Sequence, residues 1–150
     1  MKFNVIHGDV FDHAVAGTNF NEGEIGPEKR IPVHCISADY VMGAGIAVPM
    51  ASRYKLRSVL RSYKVSAPAC IFTNNVMNLI TKDRVWQKPA LNNIRGALEE
   101  CKRICEDYNI RWLVMPKIAC GLDGWDWSTI RPLIESVFKN TDVDILVCAL

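Results

Sequence analysis

The stretch that decides the fold is Met42-Gly43-Ala44-Gly45-Ile46-Ala47, which lies between the apolar run Ile31 to Ile36 and a segment with helical periodicity. Two glycines around one small residue, after a strand and before a helix, let the backbone approach a ligand closely and direct amide N–H groups at an anion. Val48 stands where the third glycine of a Gly-x-Gly-x-x-Gly dinucleotide motif would be. The stretch therefore predicts a phosphate-binding turn, and the alternative is an ordinary tight turn before a helix.

Length and composition predict one globular domain that spans residues 1–150. The chain has 49% hydrophobic and 23% charged residues, which is enough apolar material for a full core. It contains no run of about eighteen apolar residues that could span a bilayer. Charges at Lys2 and Asp9 come too early for a signal peptide. We therefore expect a cytoplasmic monomer without a membrane partner.

The six cysteines are predicted to be reduced thiols, because most of them fall inside apolar strand or helix patterns and no export signal precedes them. Cys101 and Cys105 lie four residues apart on one helical face, which could place two thiolates beside a metal. No His or second Cys pair has zinc spacing nearby, so we interpret the pair as core packing and expect no metal.

Positive charge is concentrated in the middle of the chain, although the formal net charge is only +2. No acidic residue lies between Asp39 and Asp83. The basic residues in that segment are Arg53, Lys55, Arg57, Arg61, Lys64 and Lys82. Such a segment could lie along a polyanion. We favour a solvated helix face, because no aromatic residues suited to base stacking are interleaved with the charges.

Alternating strand and helix patterns predict a three-layer α/β/α domain with a mixed, largely parallel central sheet. The predicted strands cover residues 3–7, 31–37, 69–73, 76–80, 110–115 and 144–149. The predicted helices cover residues 46–64, 90–108 and 127–138. Asn74-Asn75 predicts a two-residue hairpin turn, and Ser128 or Thr129 is the expected cap of the last helix. A loop with about one helical turn is expected between Asp12 and Arg30.

Ligands of such sheets bind at the carboxyl ends of the strands, and several polar or glycine-bearing segments collect there. These are Asp9, the turn at Gly43 and Gly45, Lys82, and the loop from Lys117 to Gly124. Two phosphate-cradling loops suit a diphosphate better than a single phosphate. Asp9 could accept a base amine or cap the following turn. From its spacing alone, Lys82 is more often a solvent-exposed charge than a catalytic group.

Six motifs occur in order along nearly the whole chain. They are Gly8-Asp9-Val10, His34-Cys35-Ile36-Ser37, Met42-Gly43-Ala44-Gly45-Ile46-Ala47, Leu79-Ile80-Thr81-Lys82, Cys120-Gly121-Leu122-Asp123 and the terminal strand ending at Leu150. With these motifs the chain resembles the macro domain family, which binds ADP-ribose. Within that family it is most similar to the branch of the terminal ADP-ribose protein glycohydrolases.

The resemblance implies where each part of ADP-ribose binds. Asp9 and Val10 would hold the adenine end, and Met42, Gly43, Ala44, Gly45, Ile46 and Ala47 would hold the distal ribose and a phosphate. The diphosphate would be wrapped by Lys117, Ile118, Ala119, Cys120, Gly121, Leu122 and Asp123. Ser37 and Leu150 match further contact positions. The expected partners are ADP-ribose or ADP-ribosylated protein, with ADP-ribosylated nucleic acid as a further candidate, and no cofactor is implied.

The resemblance also implies a reaction in which Lys82 and Asp123 are catalytic. The lysine that matches Lys82 attacks the anomeric carbon of the terminal ribose and displaces the modified carboxylate. The aspartate that matches Asp123 acts as the base that resolves the lysyl adduct. Attack requires a neutral amine. The expected function is therefore an ADP-ribosyl hydrolase acting on protein carboxylates or nucleic acid.

The sequence departs from the pattern at Asp83, where relatives carry a basic residue, and a carboxylate there would favour the charged form of Lys82. Arg84 could compensate, but adjacent residues in an extended chain point to opposite faces. More distant macro domains carry asparagines where His34 to Ser37 stand, so an asparagine-dependent mechanism transfers poorly.

Three alternatives stay open. One is an ADP-ribose 1''-phosphate phosphatase, and one is a module that binds ADP-ribose without turnover. The third is a nicotinamide oxidoreductase of Rossmann type, which the missing third glycine disfavours.

Overall fold

The computed structural model describes residues 1–14 and 28–150. Its strands are β1 Phe3–His7, β2 Arg30–Ser37, β3 Ala69–Thr73, β4 Val76–Lys82, β5 Trp112–Met115 and β6 Asp144–Ala149. Its helices are α1 Val10–His13, α2 Ala47–Arg53, α3 Leu56–Leu60, α4 Leu91–Tyr108 and α5 Trp127–Phe138. The predicted strands are confirmed to within a few residues. Most of the predicted loop between Asp12 and Arg30 lies outside the described residues.

The six strands form one sheet in the order β1-β6-β5-β2-β4-β3. Every neighbouring pair is parallel except β3 and β4, which form an antiparallel hairpin. Asn74 and Asn75 take φ values of 51° and 63° in the hairpin turn, as the two-residue turn prediction requires. The parallel pairing brings the carboxyl ends of β1, β6, β5, β2 and β4 to one edge of the sheet.

Helices cover both faces of the sheet, which confirms the three-layer prediction. One core cluster packs α4 and α5 against the sheet, with Ile94, Leu98 and Phe138 fully buried. The other cluster packs α1, α2 and α3 against the opposite face, with Met50 and Leu56 fully buried. Inner strands therefore have two apolar faces, which explains the continuous apolar run of β2.

The single helix predicted for residues 46–64 is wrong, because the chain forms two short helices there. Lys55 takes a left-handed conformation with φ of 54° and ends the helical path between α2 and α3. Asn74 Nδ2 donates to the carbonyl oxygens of Tyr54 at 2.9 Å and Lys55 at 3.3 Å. The hairpin turn thus satisfies the carbonyl groups that the break exposes, a contact between segments twenty residues apart that local periodicity does not reveal.

The predicted cap of the last helix is also wrong. The N-cap position of α5 is Asp126, without a side-chain capping bond, and Ser128 and Thr129 lie inside the first turn. All six cysteines are free, and Cys101, Cys105 and Cys148 are buried. Across residues 1–14 and 28–150, no three His, Cys, Asp or Glu side chains are grouped so that they could hold a metal. None of the described helices is long and apolar enough to cross a membrane.

Candidate functional site

A cleft of about 610 Å³ opens at the carboxyl edge of the sheet, among the segments that follow β2, β4 and β5. The cleft lining consists of Lys82 and residues 35–37, 42–47, 85–88, 116–119 and 121–124. Both glycine loops and Lys82 therefore face the same space, at the edge where the sequence predicted a ligand.

The first wall of the cleft is the glycine loop, residues 42–47. Gly45 has a φ of 62°, a conformation that side chains rarely adopt, and the Met42 side chain is buried beneath the loop. Arg57 donates from Nη1 to the carbonyl oxygen of Val41 at 3.0 Å and from Nη2 to that of Met42 at 2.9 Å. Arg57 is exposed, as the prediction of a solvated helix face requires, and its guanidinium also fixes the entry of the loop.

The second wall is the loop from Lys117 to Gly124, which is held by its own backbone. The amide of Trp125 donates to the carbonyl oxygen of Ala119 at 2.9 Å, and the amide of Gly124 donates to that of Gly121 at 3.0 Å. A Cβ atom on Gly45 would lie 3.6 Å from Leu122 Cδ1, so the two walls approach each other there. Leu122 is largely exposed at this mouth of the cleft.

Lys82 and Asp123 form a direct ion pair inside the cleft. Lys82 Nζ lies 2.7 Å from Asp123 Oδ1, and the two side chains are 13% and 15% exposed. Lys82 ends β4, whereas Asp123 follows β5, and β2 lies between these two strands in the sheet. The structure therefore brings together the amine and the carboxylate that the sequence singled out as catalytic.

Asp83, which departs from the family pattern, directs its carboxylate to another segment. Its Oδ1 accepts a hydrogen bond of 2.8 Å from the amide of Ala67, just before β3. Gln87 Oε1 accepts from the amides of Asp83 at 3.2 Å and Arg84 at 2.9 Å, which fixes the turn after Lys82. The acidic neighbour of Lys82 therefore has a structural partner of its own.

Asp39 links the segments that follow β2 and β4. One carboxylate oxygen accepts a hydrogen bond from the Ser37 hydroxyl, and the other accepts from the amide of Val85 at 2.9 Å. Partial burial acts to raise the pKa of the Asp39 carboxyl. The hydrogen bonds from Ser37, Val85 and Val41 and the nearby charge of Arg84 outweigh this effect, so the pKa of Asp39 lies below its ordinary value. Sequence reasoning missed this contact, because Asp39 and Val85 are 46 residues apart.

Four predicted contact residues do not line the cleft. Asp9 occupies the N-cap of α1, where its Oδ1 accepts a 2.9 Å bond from the amide of Phe11. Of the two roles considered for Asp9, the structure shows the cap. Val10 is the first residue of α1 and is buried in the core, and Leu150 is 92% exposed at the end of the chain. Cys120 is the fourth, and the contacts predicted for these four residues remain predictions.

No family model matches the chain. Among solved structures, the macrodomain of Mycobacterium tuberculosis DarG superposes with a TM-score of 0.75 at 20% identity, covering 97% of this chain and 96% of that one. Thermosipho africanus DarTG in complex with ADP-ribose superposes with a TM-score of 0.72 at 14% identity, covering 99% of this chain and 42% of that one. At sequence identities of 20% and 14%, these structural similarities show a shared fold and nothing further.

Curated relatives add sequence similarity to the shared fold. The ADP-ribose glycohydrolase OARD1 of Bos taurus is 38% identical over 128 residues, which cover 83% of this chain and 84% of the relative. The Homo sapiens protein of the same name is 37% identical with the same coverage. The chain belongs to the macro domain family. Within it, this macro domain falls in the ADP-ribose glycohydrolase branch.

Sequence reasoning missed residues 85–88, which line the cleft of this macro domain beside Lys82, and two of them, Trp86 and Lys88, have distinctive surroundings. Trp86 is 79% exposed, which is unusual for so large an apolar side chain. The Lys88 ammonium lies 4.2 Å from the centroid of the Trp125 ring, and Trp125 Nε1 donates to the carbonyl oxygen of Pro89 at 2.8 Å. Both residues belong to the irregular polar segment after β4, whose only sequence signal was its position at the end of a strand.

The macro domain contains two further titratable groups near the cleft that are unsuited to the reaction. Burial raises the pKa of the Cys35 thiol, so that the thiol stays protonated. His34 Nε2 lies 2.7 Å from Asn78 Oδ1, while the Asn78 amide nitrogen donates to Ile71 and Val76. Burial lowers the pKa of His34 to about 4. His34 is therefore a neutral donor that joins β2 to β4.

Proposed function

We propose that this macro domain binds ADP-ribose in its cleft and hydrolyses the bond between the terminal ribose and a modified protein carboxylate or nucleic acid. The observation that carries the proposal is the 2.7 Å contact between Lys82 Nζ and Asp123 Oδ1 at the bottom of a cleft with two backbone-lined walls. The name ADP-ribose glycohydrolase, which the curated relatives carry, supports the same activity.

The ligand would lie between the two walls with its diphosphate at their closest approach. Backbone amides of the glycine loop can donate to one phosphate, and those of the 117–124 loop can donate to the other. Lys117 and Lys88, both among the cleft-lining residues, add positive charge on the side of the second loop. The terminal ribose would then reach Lys82. Asp9 and Val10 stay the proposed contacts of the adenine end, and Ser37 and Leu150 stay further proposed contacts.

In the first step, the Lys82 ammonium of the ion pair releases one proton to solvent, and the lone pair of the neutral Nζ then forms a bond to the anomeric carbon of the terminal ribose. The bond from that carbon to the acceptor oxygen breaks, and its electron pair leaves with the acceptor carboxylate. Asp123 takes one proton from the resulting secondary ammonium. The short contact between the two groups fits this transfer, because proton transfer requires hydrogen-bond distance.

In the second step, Asp123 returns the proton to Nζ, which makes the lysine a good leaving group. A water molecule attacks the anomeric carbon, the carbon–nitrogen bond breaks and its electron pair returns to Nζ. Asp123 accepts the proton that the water loses. The net reaction adds one water and yields ADP-ribose, the free carboxylate and one proton.

The test is a turnover assay on three substrates in parallel: an ADP-ribosylated glutamate peptide, ADP-ribosylated DNA and ADP-ribose 1''-phosphate. Lys82→Ala is expected to abolish release of ADP-ribose, while calorimetry still detects binding of free ADP-ribose. Lys139→Ala is the matched control, because it removes an exposed lysine from the end of α5 and is expected to leave turnover unchanged.

Each alternative corresponds to a distinct result. Unchanged turnover in Lys82→Ala would contradict the lysine mechanism. Phosphate release from ADP-ribose 1''-phosphate that survives the loss of Lys82 would indicate a phosphatase. Binding of ADP-ribose by the native chain without product from any substrate would indicate a non-catalytic module. The single domain, the monomeric state and the cytoplasmic location also stay predictions.

A further inference from the structure

Trp125 connects the loop that carries Asp123 to the segment that follows Lys82. Its partly buried ring packs against the core cluster of α4 and α5. Its Nε1 donates to the carbonyl oxygen of Pro89 at 2.8 Å, and the Lys88 ammonium lies 4.2 Å from the centroid of its ring. These two contacts, which form the Trp125 clasp, therefore hold the two segments together.

The clasp acts close to the Asp123 carboxylate in the chain. Gly124, between Asp123 and Trp125, has a φ of 80°, and a Cβ atom there would lie 3.9 Å from Lys88 Cε and 4.0 Å from Lys88 Nζ. The lysine side chain thus passes close to the backbone of the loop, one residue from Asp123. A restraint on Trp125 and Gly124 is therefore also a restraint on the direction of the Asp123 side chain.

Few hydrogen bonds fix Asp123 relative to Lys82. Amides of the Asp123 loop donate mainly to carbonyl oxygens of the same loop, which closes the loop upon itself. In the described part of the chain, two hydrogen bonds join this loop to residues 82–90: the ion pair of Lys82 with Asp123, and the bond from Trp125 to Pro89. The distance between the two reacting groups therefore depends on the ion pair and on the clasp.

These two restraints differ in how they respond to the proposed reaction. The ion pair requires a charged Nζ, and Nζ loses its charge when Lys82 releases a proton and again when Asp123 takes the proton of the secondary ammonium. In the second step Asp123 must serve the attacking water instead of Nζ, at hydrogen-bond distance. The clasp contains neither reacting group, so it persists through both steps.

We infer that Trp125 is a positioning residue, which keeps Asp123 in place when the ion pair is absent and so sets the rate at which the lysyl adduct is resolved. The inference rests on the proposed function. Trp125 does not line the cleft, so it acts through Asp123 and not by touching the ligand. If Trp125 only packed against the core, its loss would lower stability without a selective effect on one step of the reaction.

Trp125→Phe is the main test, because phenylalanine keeps a ring beside Lys88 and removes only the donor to Pro89. Bond formation by Lys82 does not use Asp123, so resolution is the step that should slow. We expect kcat on an ADP-ribosylated glutamate peptide to fall roughly tenfold, and the lysyl adduct to accumulate during turnover in intact-protein mass spectra. The affinity for free ADP-ribose should stay at the native value, because the backbone bonds that close the loop remain.

Trp112→Phe is the matched control. Trp112 is also partly buried, and the Arg30 guanidinium lies 5.8 Å from its ring centroid, but it begins β5 at the edge of the sheet opposite the cleft. This variant should keep the native kcat and show no adduct. Trp125→Leu removes both contacts of the clasp and is expected to lower kcat roughly a hundredfold.

Two kinetic results would overturn the inference. One is a native kcat in Trp125→Phe, or a loss of the same size in Trp112→Phe. The other is a loss of kcat without adduct in Trp125→Phe when Asp123→Asn, which lacks the base, accumulates the adduct under the same conditions. The melting temperature of each variant shows that the compared chains are folded.

Backbone dynamics separate this inference from the proposed function. Lys82→Ala removes the ion pair, so the clasp is the remaining restraint, and the Asp123 amide should keep a rigid ¹⁵N order parameter of about 0.85. In Lys82→Ala/Trp125→Phe the value should fall towards the flexible range below about 0.6. If the native chain turned over no substrate but these two variants differed in this way, the proposed function would fail and the positioning by Trp125 would stand. Equal order parameters would overturn it.

Discussion

The two ends of the proposed ligand site are built in different ways. The reactive end consists of Lys82 and Asp123, whose side chains meet across an intervening strand at 2.7 Å. The adenine end consists of Asp9 and Val10, and the described hydrogen bonds of these two residues and of the adjoining Gly8 are local or join backbone groups. Asp9 caps its own helix, and the amide of Gly8 donates to the carbonyl oxygen of Ala149 at 2.9 Å.

The difference shows what kind of contact fixes each end. At the reactive end, side chains join segments that are far apart in sequence: Lys82 with Asp123, Asp39 with Val85, and Asp83 with Ala67. Such contacts set the geometry of the reacting groups, because each one restrains two strand ends relative to each other. In the described part of the chain, Asp9 and Val10 themselves make no side-chain hydrogen bond to a distant segment, so substitutions there should affect binding more than chemistry.

The largest effect is expected from Asp123→Asn at the reactive end. The amide keeps the size of the carboxylate but cannot accept the proton of the lysyl adduct, so turnover should fall roughly a thousandfold. Steady-state kinetics on the glutamate peptide measure the loss, and Asp107→Asn, at an exposed site on α4, is the control. Native kinetics in Asp123→Asn would remove Asp123 from the mechanism.

The next largest effect is on the free energy of unfolding, and it comes from His34, which joins β2 to β4, the strand that carries Lys82. The pKa of His34 is lowered from 6.5 to about 4 in the folded chain, so the unfolded chain binds more protons between these values. The free energy of unfolding should therefore fall as the pH decreases from 6.5 to about 4, by at most roughly 3 kcal/mol from this group. Below about pH 4 the contribution is constant.

His34→Gln isolates that contribution, because glutamine keeps a donor for Asn78 but does not titrate in this range. Urea unfolding of both chains at several pH values between 7 and 4 gives the difference. We expect the native chain to lose stability more steeply than the variant below pH 6.5. Parallel curves would show that His34 titrates normally.

A smaller effect is expected from Arg57→Ala, which removes two bonds to the glycine loop. The carbonyl groups of Val41 and Met42 would lose their donor, and the loop would sample other conformations. We expect the affinity for ADP-ribose to fall by about tenfold as measured by calorimetry. Arg61→Ala is the control, because Arg61 Nε donates to the Arg57 carbonyl oxygen within the same helical segment and makes no other hydrogen bond in the described part of the chain. Equal effects of the two substitutions would contradict the role of Arg57.

The smallest effects are expected at Asp9. Asp9→Ala removes the cap of α1 and should lower the free energy of unfolding by about 1 kcal/mol. Asp9→Asn keeps a capping oxygen but presents an amide group where the second carboxylate oxygen was. If that oxygen accepts the adenine amine, Asp9→Asn should weaken ADP-ribose binding while stability is unchanged. Binding of the hypoxanthine analogue, which lacks the amine, should then be unaffected, and equal weakening of both ligands would exclude the contact.

Sequence reasoning succeeded wherever the decisive interaction is local or periodic. Period-two and period-three-to-four patterns located the strands and α4, and the positive φ that Asn tolerates identified the turn at Asn74 and Asn75. The parallel order of the sheet placed Lys82, at the end of β4, and the loop that carries Asp123 at the same edge of the sheet.

It failed wherever a side chain reaches a distant segment. The break at Lys55 depends on Asn74, and the orientation of Asp83 depends on Ala67. Arg57 looked like one more solvated charge, because nothing near it in sequence indicates the carbonyl groups of Val41 and Met42. The family resemblance supplied the roles of Lys82 and Asp123, which spacing alone could not.

The exposed position of Trp86 gives the chain an optical reporter of its own. The other three tryptophans, Trp112, Trp125 and Trp127, are partly buried, so the indole of Trp86 should dominate the red edge of the emission spectrum. Because this ring lines the cleft, a ligand bound there should shift or quench that emission. Stopped-flow fluorescence on the unlabelled chain could then follow ligand binding and product release, with Trp86→Phe as the reference that lacks this emission.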